Sequence, residues 1–261
     1  MVAHLIGFEL PVILDIEMIK PGESEIVAAR RLFERLVRDY NRFFDAIVGD
    51  ALYWEGPLAQ LCRKHNKHLL AVLKNNNPAL LSQARKRLQG CPDHQTTDGK
   101  RAVQLWDNEH FASGAIDEPF RVVHALEQWT RRQRVGGKWV TKQESAEWFW
   151  ATTIPRKFLP ARQVAQAGHQ RWHIENRVFN ALSTHWGLDH CFRHDPVAIL
   201  NFVLILFIAF TMLQCFYQLN MKPARRQRLT LIAVAAELLQ GIIAATARQI
   251  AWRPLFTGAG P

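Results

Sequence analysis

Cysteine is scarce in this chain and scattered. The 261 residues hold four, Cys62, Cys91, Cys191 and Cys215, and no Cys-x-x-Cys pair. That argues against a disulfide framework and for reduced thiols in the cytoplasm. Residues 1–7 lack a basic stretch followed by a long apolar run, so no secretory leader is expected. Internal repeats and long low-complexity tracts are also missing, which argues against a solenoid or a disordered tail. Carboxylates are in short supply: 23 Asp+Glu stand against 33 Lys+Arg, a formal charge of +10. Such an excess favours a polyanionic partner, either nucleic acid or an acidic membrane surface.

What is present suits a globular protein. Apolar residues make up 48% of the chain and charged ones 21%, enough for one large domain or two modest ones around a real core. The cations fall in small groups: Arg30-Arg31, Arg63-Lys64, Arg85-Lys86-Arg87, Arg131-Arg132, Arg156-Lys157 and Arg225-Arg226. Any one group fits a solvated face, and it is their number that points to a polyanion. Residues 196–217 are almost wholly apolar, with Lys222, Arg225, Arg226 and Arg228 after them. By length they could span a bilayer. Asn201, Thr211 and Gln214 interrupt the run and no second span follows, so a helix buried on all sides is expected, with no membrane partner.

In chain order, residues 4–8 and 11–16 suggest two short strands, and residues 21–25 a turn opening a helix that runs to about Asp39. Its apolar face would carry Ile26, Ala29, Phe33, Leu36 and Val37. Residues 44–49 form a compact apolar strand that delivers Asp50 at its carboxyl end. A helix over about 57–65 and a strand over 68–74 complete a parallel βαβ unit. Sites in open α/β sheets lie at carboxyl ends of strands, which singles out Asp50, although aspartate also serves in turns and helix caps. A short basic helix follows, then a loop over 91–99. Residues 100–147 are strand-rich, with strands at 101–106, 120–127 and 139–142 and a basic hairpin turn at 131–138 around Gly136-Gly137. Residues 148–153 return to the main sheet.

Residues 169–182 are free of proline and interior glycine and are expected to form one helix. At 100° per residue Arg171, Glu175, Val178, Phe179 and Leu182 share a face. Its apolar members imply that the face looks into the protein. Arg171 and Glu175 lie one turn apart, so a structural ion pair is one outcome. The other is chemical. Carboxylates from a strand end and a distant helix, Asp50 and Glu175, can converge on Mg²⁺, a hard cation that takes oxygen ligands and keeps several waters. Two such ions support phosphodiester chemistry, and Arg171 could hold a phosphate by a bidentate fork. His185, His190, Cys191 and His194 have zinc-ligand chemistry, but their spacing matches no standard zinc motif. His169 and His173 look like surface or nucleic-acid-facing residues. Trp129, Trp139 and Trp148 interleave with Arg131, Arg132, Arg134 and Lys138, a mixture that can stack bases and hold backbone, or simply line a sheet with a basic hairpin.

The motifs together resemble a family. Asp50-Ala51-Leu52-Tyr53 after an apolar strand, then Arg171-Trp172-His173-Ile174-Glu175-Asn176 with Phe179-Asn180, and downstream His185-Trp186-Gly187-Leu188-Asp189-His190, are similar to the DDE-type transposases of bacterial insertion sequences. The likeness covers about residues 5–220. It implies an α/β, RNase H-like mixed sheet, a strand-rich insertion before the last catalytic helix, and C-terminal helices. It implies DNA transposition, a form of DNA recombination that moves a transposable element, by Mg²⁺- or Mn²⁺-dependent cleavage and joining of transposon ends. Asp50 and Glu175 match the second and third catalytic carboxylates and metal ligands. Arg171 matches the arginine of the Tyr-x2-Arg-x3-Glu-x6-Lys signature; Tyr53, Asn176 and Arg177 would contact DNA or phosphate. DNA, both transposon end and target, would be the partner of a homo-oligomer in the cytoplasm, at the nucleoid.

Two departures stand out. The tyrosine position of that signature is Gly168 and the lysine position is Leu182. Counting back from Asp50, only two strands and one helix precede it, and they correspond to the second and third strands of the fold. Asp15 and Glu17 would then sit on the third strand, too far from Asp50. The expectation is a catalytic domain lacking its first aspartate, inactive alone, with a DNA-binding remnant as the alternative. The expected divisions are a first core part at 1–78, a linker and insertion at 79–147, a second core part at 148–195 and a helical region at 196–261.

Overall fold

The computed structural model describes residues 1–7, 12–114, 116–190 and 193–256. They form two compact units, one built from residues 1–7 and 14–175 and a second that holds residues from 176 onward. Strands β1 (Val2–Leu5) and β2 (Val12–Ile16) make a two-stranded sheet. Helix α1 (Glu25–Tyr40) follows and buries Ala28, Ala29, Leu32, Phe33 and Leu36, a spacing of three and four that marks one helical face. Strand β3 (Ala46–Gly49), helix α2 (Gly56–Lys64) and strand β4 (His68–Val72) form the expected parallel βαβ unit, with Ala46 opposite His68 and Gly49 opposite Ala71.

After helix α3 (Pro78–Arg87) come β5 (His94–Asp98), β6 (Arg101–Ser113), β7 (Ile116–Val135) and β8 (Lys138–Thr152). With β3 and β4 they build a mixed six-stranded sheet in the order β3-β4-β8-β7-β6-β5. The chain is thus α/β, as expected. Residues 94–98 are a strand where a loop was expected; the polar pattern His94-Gln95-Thr96-Thr97-Asp98 hides an outer strand whose partner is β6. The segment around 131–138 is strand almost throughout. Only Gly136 and Gly137 turn, both at positive φ (+56° and +83°), where a residue with a Cβ is strained. Residues 148–152 are therefore not a separate strand but the far end of β8, which pairs with β4 through Leu70–Thr152, Ala71–Ala151 and Val72–Trp150.

Alternation along β4 divides the core. Leu69 and Ala71 face a cluster with Phe33, Leu58, Cys62, Leu80, Val122 and Phe149, under α1, α2 and α3. Leu70 and Val72 face the other side with Val103, Leu105, Val123 and Trp150. Helix α4 (Ala161–Gln170) covers that side with Ala161, Val164 and Ala165. A strand covered on both faces must be apolar without interruption, which is why β4 reads His-Leu-Leu-Ala-Val.

The second unit is helical. It contains α5 (Asn180–His185), α6 (Pro196–Cys215), α7 (Pro223–Arg226) and α8 (Leu231–Phe256). Asp195 caps α6 by accepting from Ala198 N at 2.8 Å. Helix α6 corrects the expectation of all-round burial: Leu206, Phe207, Phe210, Leu213 and Gln214 are buried, while Val197, Ile205, Ile208 and Met212 are exposed. The segment 196–220 is long and apolar enough to cross a membrane, a test that core helices of soluble proteins also pass. Cys62, Cys91 and Cys215 are free thiols, and Cys191 lies outside the described residues.

Candidate active site

Asp50 stands directly after β3, at the carboxyl end of two parallel strands. Its Oδ1 accepts from Leu52 N at 2.9 Å and so caps the short 3-10 turn Ala51–Tyr53. The turn folds Tyr53 back over Gly49. A Cβ at Gly49 would stand 2.8 Å from Tyr53 Cβ, Cγ and Cδ2, so the residue before Asp50 has to be glycine. Tyr53 donates its hydroxyl to Glu25 Oε1 in the first turn of α1. Burial, then that bond and the charges of Glu25 and Asp50, raise the phenol well above its usual range; Arg171 pulls the other way. Tyr53 therefore stays neutral, within electrostatic range of Glu25, Asp50 and Arg171.

Arg171 donates through Nη1 to Glu175 Oε1 at 2.9 Å, the ion pair expected one turn apart. The helix that carries it differs from expectation. Instead of one α-helix over 169–182, α4 stops at Gln170, a π-helical segment spans Ile174–Phe179, and α5 follows. An unbroken α-helix would return Glu175 to the face of Gly168, seven residues earlier, which packs into the core. The break after Gln170, where Trp172 N bonds His169 O at 3.1 Å, interrupts that return before the π segment begins. Val178 and Leu182 remain fully buried, but the Glu175 side chain is 56% exposed and that of Arg171 only 15%. Glu175 thus does not look into the protein; its carboxylate is open to an incoming group. Single π turns inside helices recur at functional sites.

Of the other expected contacts, Tyr53 has its hydroxyl committed to a carboxylate, Asn176 is exposed, and the side chain of Arg177 lies outside the described residues. Asp15 and Glu17 are engaged by α1: Arg35 pairs with both, and Arg31 with Glu17 and Glu23. They serve the fold rather than the Asp50 neighbourhood. His169 is half-buried rather than simply surface-facing. Its Nε2 lies 2.6 Å from Glu127 Oε1, and its ring meets Trp148 and Trp150 edge-on at 5.1 and 5.2 Å. Burial pushes the Glu127 carboxyl up, but His169 and then Arg101 outweigh it, and the group lies below the usual carboxylate range. The tyrosine position Gly168 has no room for a side chain because Trp150 fills it, and Leu182 at the lysine position is core.

Four further polar residues escape a reading of local spacing. Glu25 joins the neighbourhood only through Tyr53, 28 residues away. Asp107 takes a bidentate grip from Arg121 at 2.7 Å on each oxygen and a further contact from Arg156 at 3.0 Å. Only strand register could have revealed the pairing of Asp107 with Arg121.

Among the described residues no group of three or more His, Cys, Asp or Glu is placed to hold a metal ion, which leaves the zinc-type set at 185–194 without support. Asp50 and Glu175 are hard oxygen donors of the kind Mg²⁺ accepts, and Mg²⁺ commonly takes only one or two carboxylates together with waters and substrate phosphates. The donor chemistry therefore fits. Residues 13–212 match the family model described as a transposase DDE domain. No curated protein matches the chain.

Proposed function

The chain belongs to the transposase DDE domain family, and from that premise we propose that it is a DNA transposase catalytic domain that cleaves and joins transposon ends. The single observation that supports this best is the presentation of two carboxylates: Asp50 caps the turn at the end of a parallel strand pair, and Glu175, bonded by Arg171, stands exposed on a π-helical segment.

Asp50 and Glu175 would hold Mg²⁺ or Mn²⁺, which when bound activates a water or a 3′-hydroxyl and stabilises the leaving oxygen. Arg171 orients Glu175 through Nη1 and keeps further donors for a phosphate oxygen. Tyr53 holds Glu25 and fixes the turn that presents Asp50. The substrate is duplex DNA at the transposon end and the target, engaged by a homo-oligomer in the cytoplasm, at the nucleoid.

A second reading has its own support. Strand β3 is an outer strand of its sheet, and among the described residues nothing pairs with its free edge. We propose that the family's first catalytic aspartate belongs on a strand at this edge, and that residues 1–261 alone bind DNA without cutting it. The test is a nicking assay on supercoiled plasmid carrying the ends of the element, with Mg²⁺. Nicking lost in Asp50→Asn and in Glu175→Gln supports catalysis by the chain as it stands. Salt-dependent binding with no nicking supports the second reading, and no binding at all overturns both.

A further inference from the structure

The pairing between β6 and β7 ends at Ala102–Gln128. Beyond it β7 and β8 continue alone for seven more residue pairs, from Trp129–Glu144 to Val135–Lys138, and close on Gly136 and Gly137. At about 3.3 Å per residue this is a free two-stranded arm roughly 23 Å long. Apart from half-buried Trp129, Gln133 and Glu144 near its base and middle, its residues are exposed, including large apolar ones: Trp139 is 64% exposed and Val135 54%. A bare ribbon of two strands is marginal in water without a surface to lie against.

Its charge tells what that surface is. Arg131, Arg132, Arg134, Lys138 and Lys142 stand against a single carboxylate, Glu144. The register splits them between the two faces. Arg132 and Arg134 share one face with Trp139, over which the Arg132 guanidinium lies at 5.5 Å. Arg131, Lys138 and Lys142 share the other with Trp129. Arg101 lies over the Trp129 ring at 4.7 Å and Glu144 accepts from its Nε1 at 3.0 Å, which anchors the base of the arm. A ribbon lying flat on a surface needs cations on one face only. A ribbon between two walls of phosphate needs them on both, and a two-stranded ribbon is an element the DNA major groove, about 12 Å wide, can admit.

We infer that the arm Trp129–Glu144 enters the major groove of duplex DNA as a second contact, separate from the Asp50 and Glu175 neighbourhood. This rests on the proposal that the chain acts on DNA. Arg131, Lys138 and Lys142 on one face and Arg132 and Arg134 on the other meet phosphates of the two strands, and Trp139 near the tip meets base edges.

The test compares three proteins on one duplex oligonucleotide: the full chain, the arm variant R131Q/R132Q/R134Q/K138Q/K142Q, and a control, K64Q/K86Q/K100Q, with exposed lysines changed elsewhere. Affinity is measured against salt concentration, and methylation of guanine N7 reports occupancy of the major groove. Each phosphate contact contributes about 0.9 to the slope of log K against log salt. The arm variant is expected to lose a slope of about 3 to 5 and the N7 protection, while the control keeps both. If the full chain binds and the arm variant matches it in slope, the inference falls, the arm is left to a protein partner, and the proposed function stands. A reduced slope with N7 equally open in all three overturns the groove placement. If the full chain does not bind duplex DNA, the inference and the proposed function fall together.

Discussion

Gly168 leaves the place of its side chain to the indole of Trp150: a Cβ added there would stand 2.1 Å from Trp150 Nε1 and 2.6 Å from Cε2. A glycine inside a helix ordinarily gains up to about 1 kcal/mol on change to alanine. Here the sign reverses. Gly168→Ala is expected to destabilise the fold by about 1–3 kcal/mol, the usual scale of overpacking, and Gly168→Tyr, which restores the signature of the family, by more. Urea denaturation of the two variants checks this; a stabilised Gly168→Ala would mean that Trp150 gives way freely.

Asp107 and Arg121 are buried together, with side chains 1% and 2% exposed. Removing one member of a buried pair strands the other, at a cost of about 3–5 kcal/mol. Asp107→Ala should show that loss, and the double change Asp107→Leu with Arg121→Met should be less harmful than Asp107→Ala alone. Equal losses would mean that the pair is not coupled.

Asp50 has two separable duties. As a cap it needs only an acceptor for Leu52 N, which asparagine supplies; as a metal ligand it needs charge. Asp50→Asn should therefore melt like the parent, while Asp50→Ala should lose about 1 kcal/mol. Any nicking by the chain should vanish in both. Nicking that survives in Asp50→Asn would remove Asp50 from the chemistry.

His124 is stacked between Trp106 and Phe149, with ring centroids 4.6 and 4.2 Å away. Burial holds its imidazole below the usual histidine range, more than the Leu88 carbonyl and Glu147 raise it. The unfolded chain thus binds a proton that the folded chain refuses. Stability is complete above about pH 6.5, the unperturbed value, and declines as the pH falls below it. His124→Phe keeps the stack and should flatten the upper part of this acid limb. Parallel denaturation curves for parent and variant at neutral and mildly acidic pH decide the matter; identical acid losses would clear His124 of responsibility.

The βαβ unit was legible because its apolar runs are bounded by turn residues, and Asp50 because it follows the first of those strands. Arg171 and Glu175 were legible as a pair four residues apart. The helix break after Gln170 and the π segment that follows it were not, since α and π turns differ in backbone pairing and not in residue type. Nor was β5, whose polar residues carry no strand alternation. The role of His169 depended on Glu127, 42 residues away, and on two tryptophans brought to it by the sheet. Local pattern reports which face a residue takes, and register decides what meets it there.

Strand β8 ties the tip of the arm to the interior of the sheet without a break. Its first residues face β7 across two glycines, whereas its last face β4, with Thr152 opposite Leu70. Loop-closure entropy makes the near contact cheap and the far one slow. Pairing of β8 with β7 should therefore run ahead of its pairing with β4, which closes a far longer loop. The hairpin at one end of β8 thus prepares the strand that β4 meets at the other.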